Sequence, residues 1–99
     1  QLAAYALFYP SFASFRGQRG IYLEDIFISS AHRHQGLGEA MLRAIAREAR
    51  LQGAERIDFQ VLDWNRPAIN FYNKFGADGS LDESHYKFSD EAFARLAAD

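Results

Sequence analysis

Cysteine is absent from the 99 residues, which excludes disulfide bridges, a thiol nucleophile and thiolate metal sites. Neither sign of charge dominates: 11 lysines and arginines stand against 13 aspartates and glutamates, a net charge of −2. With no Lys/Arg block, the chain gives no reason to invoke nucleic acid. The longest apolar run, Leu2 to Tyr9, falls far short of the roughly 20 residues that a membrane-spanning helix needs. No secretory pattern is present, so a cytoplasmic location is the default expectation. The three histidines, His32, His34 and His85, lack metal-ligand spacing, and no metal is expected. Gln1 is not an initiator methionine, and the chain opens directly on an apolar run. That suggests processing, or a piece of something longer.

What is present is a chain that is 48% hydrophobic, enough for one domain with a modest core. Leu2 to Tyr9 reads as a strand covered on both faces and stopped by Pro10. Ser11 to Gly20 reads as a loop, and Ile21 to Ile28 as a second strand in an antiparallel hairpin. Strict alternation puts Ile21, Leu23, Asp25 and Phe27 on one side of that strand. Tyr22, Glu24, Ile26 and Ile28 then share the other. Two carboxylates inside an apolar strand are costly unless solvated or paired; either they face water at an edge, or one lines a polar cleft. Met41, Leu42, Ile45, Ala46 and Ala49 make a helical stripe within Glu39 to Gln52, closed by Gly53. Ile57, Phe59 and Val61 alternate as a third strand, so the strand–helix–strand unit implies parallel neighbours. A turn at Asp63 to Pro67 leads into a second helix ending at Gly76, with Pro67 suited to its first position. Tyr86 to Phe88 forms a short last strand, and Ser89 caps a helix from Asp90 to Leu96.

Between the second strand and the first helix lies Arg33-His34-Gln35-Gly36-Leu37-Gly38. Two glycines and a helix N-terminus suit a phosphate or pyrophosphate. A Walker loop is excluded because Gly38 is followed by Glu39-Ala40, and a dinucleotide fingerprint because Met41 fills the third small position. The spacing Arg-x-x-Gly-x-Gly resembles the acetyl-CoA loop of the GNAT superfamily of N-acetyltransferases. Trp64-Asn65-Arg66-Pro67-Ala68-Ile69-Asn70-Phe71-Tyr72, running on to Lys74-Phe75-Gly76-Ala77, resembles the second signature of that family. Tyr22-Leu23-Glu24-Asp25 together with Trp64-Asn65-x-Pro67 is similar to the diamine (spermidine/spermine) acetyltransferase branch. Arg66, where that branch has an acid, and Phe75, where it often has a base, depart from the pattern.

The resemblance covers Gln1 to about Leu96. It implies an α/β fold, a mixed central sheet with flanking helices, here without the family's usual initial strand and two helices. It implies acetyl-CoA as cosubstrate, a primary amine as acceptor (a polyamine or diamine first) and a homodimer. The backbone of Ile26, Phe27 and Ile28 would pair with the pantetheine arm. Arg33, His34, Gln35, Gly36, Leu37, Gly38 and Glu39 would hold the pyrophosphate. Asn65, Pro67 and Ala68 would contact the CoA arm; Lys74 either reaches a CoA phosphate or is a solvated lysine at the helix end. Tyr72 would protonate the departing thiolate. Glu24 would take a proton from the amine, and Asp25, Asp58 and Asp63 would add to a cation-attracting wall with it. Two alternatives stay open: a lysine-like small amine or protein amine as acceptor, and a CoA-binding remnant without catalysis.

Overall fold

The computed structural model describes residues 4–13, 17–29, 36–62, 64–79 and 85–98. Along them run β1 (Ala4–Ala13), β2 (Gln18–Ile28), α1 (Leu37–Leu51), β3 (Arg56–Gln60), α2 (Arg66–Lys74), β4 (His85–Ser89) and α3 (Asp90–Ala97). The strands make one sheet in the order β1-β2-β3-β4. β1 and β2 form an antiparallel hairpin, β2 and β3 run parallel with α1 crossing between them, and β3 and β4 are antiparallel. This is the mixed α/β class that the sequence implies. No helix among the described residues is long and apolar enough to cross a membrane.

Helical periodicity explains the layer over the sheet. In α1 the buried side chains are Leu42, Ile45, Ala46 and Ala49, a single stripe that must face an apolar surface. On the outside Arg43 Nε reaches Glu39 Oε2 at 3.0 Å, the i,i+4 pair that the spacing predicts. The stripe packs on Ile21, Leu23, Ile57, Phe59 and Phe88, with Phe93, Leu96 and Ala97 of α3 completing the same core. Each fully buried Leu, Ile or Phe contributes roughly 1.5–3 kcal/mol, so this one-sided layer is the main source of stability. All three helices lie on that face of the sheet. Along the other face, Arg56, Asp58 and Lys87 are laid down among polar partners and buried.

Two expectations fail at the hairpin. β1 runs on through Pro10 to Ala13, because it is an edge strand, where a missing N–H on the open side breaks no ladder bond. It is not covered on both faces either: Tyr5, Leu7 and Tyr9 stand exposed opposite the helices. The strict alternation in β2 fails as well. Leu7 pairs with Asp25 but Phe8 pairs with Leu23, so Glu24 is an extra residue in the ladder, a β-bulge. One inserted residue reverses every side chain beyond it. Ile21, Leu23, Ile26 and Ile28 therefore share the helix face, while Tyr22, Glu24, Asp25 and Phe27 share the open one.

Candidate active site

The bulge leads directly to an opening in the sheet. β2 and β3 are paired from Gly20–Arg56 to Leu23–Phe59, and the ladder stops there. Beyond that point a cleft of about 310 Å³ separates the strands. Leu23, Glu24, Asp25 and Ile26 form one wall, and Phe59, Gln60, Val61 and Leu62 the other. Asn65, Ala68 and Tyr72 of α2 and its cap close it from below. From Glu24 to Ile26 β2 continues no ladder with β3 among the described residues, so main-chain groups of this stretch border the cleft.

Local sequence explains how α2 delivers Tyr72 there. Asn65 caps the helix, its side chain accepting the Ala68 N–H at 3.3 Å. Pro67 follows in the second helical position, one later than the sequence suggests, and within the turn that lacks internal bonds. Ile69 and Tyr72, three apart, are the buried side chains of α2. The Tyr72 ring lies 4.4 Å from Phe59 and contacts Phe71 and Phe88 edge-on. Burial, and after it the charge of Asp25, pushes its phenol up to about 12. The hydroxyl therefore keeps its proton at neutral pH and can donate it.

Glu24 and Asp25 are exposed at the cleft mouth, each tied to a tyrosine of β1. Tyr9 Oη donates to Glu24 Oε1 at 3.3 Å, and Tyr5 Oη to Asp25 Oδ2 at 3.0 Å. Asp58 is not brought to this opening. Its carboxylate takes Arg56 Nη2 at 2.6 Å, Arg56 Nε at 2.8 Å and His85 Nε2 at 2.9 Å. It belongs to the fabric of the sheet rather than to the cleft. Arg33, His34, Gln35 and Asp63 lie outside the described residues.

At the start of α1, Gly36 adopts φ 75° and caps the helix without a side chain. The N–H groups of Leu37, Gly38 and Glu39 are those that a helix start leaves without internal partners. A Cβ on Gly38 would stand 3.2 Å from both Ile28 Cδ1 and Phe71 Cζ, so this glycine lets α1 approach the end of β2 and the back of α2. Lys74 sits away from the cleft, in a groove with Arg43 and Arg95, its Nζ 5.6 Å from the Phe75 ring centre. Sequence reasoning missed Gln60, Val61 and Leu62 as cleft residues, and Tyr5 and Tyr9 as partners of the acids. Only the paired acids in an apolar strand hinted at a departure from regular pairing.

The arrangement combines an unladdered strand edge, a phenol held protonated, two carboxylates and a glycine-started helix. A strand edge and a helix N-terminus offer backbone groups to a polar or anionic ligand, and the phenol offers a proton beside them. The carboxylates of Glu24 and Asp25 make the cleft mouth negative.

Comparisons with known proteins point to one family. The family model described as Acetyltransferase (GNAT) family matches residues 1–77. The L-ornithine N5-acetyltransferase NATA1 of Arabidopsis thaliana is 42% identical over 76 residues, covering 77% of this chain and 33% of the relative. The thialysine N-epsilon-acetyltransferase of Bos taurus is 35% identical over 100 residues, covering 97% of this chain and 58% of the relative. The chain thus spans a third to somewhat over half the length of these relatives. Among solved structures, an integron cassette protein from the mobile metagenome of V. cholerae superposes with TM-score 0.74 and 25% identity, covering 98% of this chain and 60% of that one.

Proposed function

The chain belongs to the GNAT family of acetyltransferases, and from that premise we propose that it transfers acetyl from acetyl-CoA directly to a primary amine on a cationic alkyl chain. Polyamines and diamines are the first acceptors to consider, and a diamino acid or lysine-like amine the second. The relatives named for ornithine and thialysine favour the second group. One observation carries the reading: Tyr72, Glu24 and Asp25 come from two separate elements and line one cleft.

Acetyl-CoA supplies the acyl group and a sulfur leaving group. The backbone of Ile26, Phe27 and Ile28 holds its pantetheine arm, and the start of α1 from Gly36 to Glu39, with Arg33 to Gln35 before it, holds the pyrophosphate. Asn65 and Ala68 border the arm from α2. Glu24 takes one proton from the incoming ammonium, freeing the nitrogen lone pair. As the C–N bond forms and the C–S bond breaks, Tyr72 gives its hydroxyl proton to the departing sulfur. The second nitrogen proton returns to Tyr72, directly or through water, and Glu24 releases its own to solvent. The net products are the amide, free CoA thiol and one proton.

Tyr72→Phe tests this. Thiol release with spermidine, ornithine and thialysine as acceptors falls by about 10²-fold or more, the scale of a lost general acid, while acetyl-CoA binding by calorimetry changes little. A Phe variant that turns over at the parent rate would remove Tyr72 from the chemistry. Parent protein that binds acetyl-CoA yet releases no thiol with any amine would replace the enzyme with a CoA-binding module. A homodimer belongs to the same reading, supported by exposed Tyr5, Leu7, Tyr9 and Phe27 on the open face; a monomeric mass in solution would overturn that part.

A further inference from the structure

The bulge gives β2 two adjacent carboxylates on one face, and bulged residues are the least constrained in a ladder because no partner opposes them. Glu24 has no opposite residue in β1. Something other than the ladder must aim its side chain. β1 supplies two tyrosines with the same arrangement, one on each side of the bulge. The Tyr9 ring stacks on Tyr22 at 5.5 Å with 24° between planes, and its hydroxyl donates to Glu24. The Tyr5 ring stacks on Phe27 at 5.4 Å with 22° between planes, and its hydroxyl donates to Asp25. In each case a neighbouring ring of β2 fixes the phenol, and the phenol fixes a carboxylate. Tyr5 and Tyr9 are four apart on the exposed side of β1, flanking Leu7, the partner of Asp25.

Resting on the acetyltransferase reading above, we propose that Tyr5 and Tyr9 are positioning residues that hold Asp25 and Glu24 at the cleft mouth for the amine. Neither tyrosine lines the cleft, so neither touches the reacting atoms. Their work is done through the acids: a hydrogen bond to one oxygen sets the plane of the carboxylate, and with it the direction of the other oxygen. A carboxylate left to rotate spends less time aligned with the incoming ammonium, and alignment of a base with its proton governs the rate. Phenols suit the task because they donate without adding a positive charge that would repel the acceptor. The free edge of β1 thus gains a role in amine handling.

Tyr5→Phe and Tyr9→Phe keep both ring stacks and delete only the hydroxyls. Each is made in the parent chain and in the variant of its acid, Asp25→Asn and Glu24→Gln. With spermidine and ornithine as probes, kcat/KM for the amine drops roughly three- to tenfold per hydroxyl, an exposed charge-assisted bond being worth that much. KM for acetyl-CoA stays put, and the thermal midpoint falls by no more than a few degrees, as the loss of one exposed hydrogen bond allows. In the matching acid variant the same hydroxyl deletion has no further effect. Equal losses in both backgrounds, or no loss in either, overturn the proposal. If Glu24→Gln and Asp25→Asn themselves leave amine turnover intact, the acetyltransferase reading of these acids fails instead, which is a distinct result. A measurement without turnover guards against weak activity: difference titration of tyrosinate absorbance between Tyr5→Phe and its parent follows the Tyr5 phenol. Its hydrogen bond to Asp25, and then the charge of that acid, raise this phenol above its usual value. The Tyr5 signal shifts to lower pH in Asp25→Asn, and a signal that does not move refutes the contact.

Discussion

Glu24, Asp25 and Asp58 look alike in sequence, and their surroundings separate them. Glu24 and Asp25 reach water at a cleft. Asp58 is 8% exposed and clamped by Arg56, itself 3% exposed, and by His85. Arg56 and Asp58 are two apart in β3 and so share a face, which is what lets a guanidinium and a carboxylate pair side by side along one strand. Removing the acid leaves a buried cation without its main counter-charge, the costly half of a broken buried pair. Asp58→Asn is therefore expected to lower unfolding free energy by about 2–4 kcal/mol, seen as a lower urea midpoint with an unchanged slope. The remaining folded protein keeps its cleft. A parent-like midpoint would mean that the Arg56 charge is well solvated without Asp58. The role expected of Asp58 at the acceptor wall came from its strand position, and position alone does not tell a free acid from one already spent on a partner. Tyr72 was legible through the family signature that starts at Asn65, since helical spacing alone marks only a core aromatic. Asp58 was not, because its partners sit two residues away and on another strand.

At the scale of elements, β2 decides the site twice. Near its start it must touch β3 closely: a Cβ on Gly20 would stand 2.8 Å from Arg56 Cγ and 2.9 Å from the Arg56 carbonyl oxygen. Further on, the bulge at Glu24 coincides with the end of that contact. Gly20→Ala forces the two backbones apart at the end of the ladder away from the cleft and costs about 1–3 kcal/mol, the range for overpacking. Gly36→Ala meets nothing within 4 Å and suffers only from φ 75°, about 1–2 kcal/mol of left-handed backbone strain. The two variants separate in their functional readout. Gly20→Ala lowers amine turnover only in step with stability, whereas Gly36→Ala acts first on acetyl-CoA affinity. Calorimetric binding beside thermal melts distinguishes these outcomes, and equal effects on both ligands would undo the assignment. Hydrophobic spacing made the α1 stripe, the parallel crossover and the order of elements readable. The bulge escaped because it breaks the period of two on which strand reading depends, and Gly20 read as loop because a lone glycine there has no neighbour in sequence to show the crowding.

For the molecule as a whole, the same groups bound the pH range in which the fold is most stable. Burial alone would raise the Asp58 carboxyl, but the hydrogen bonds and charges of Arg56 and His85 outweigh it and hold the group below its ordinary value. A folded-state value below the unfolded one contributes stability above the unfolded value, and that contribution fades as pH falls through the folded one. Tyr72 works at the opposite limit. Its folded value of about 12 lies above the ordinary 10.0, so its contribution is complete below pH ~10 and disappears as pH rises through ~12. Tyr5, Tyr9 and Tyr22 shift upward as well, so the alkaline decline is shared. Urea unfolding across pH is expected to give a plateau bounded by these groups. Tyr72→Phe makes the alkaline limb shallower and leaves the acid limb alone; Asp58→Asn flattens the acid limb and leaves the alkaline one. An alkaline limb unchanged by Tyr72→Phe would show that the phenol is not held protonated by the fold. That result would also weaken the proposed use of Tyr72 as an acid, because the burial that stabilises the neutral hydroxyl is the same burial that keeps a proton on it.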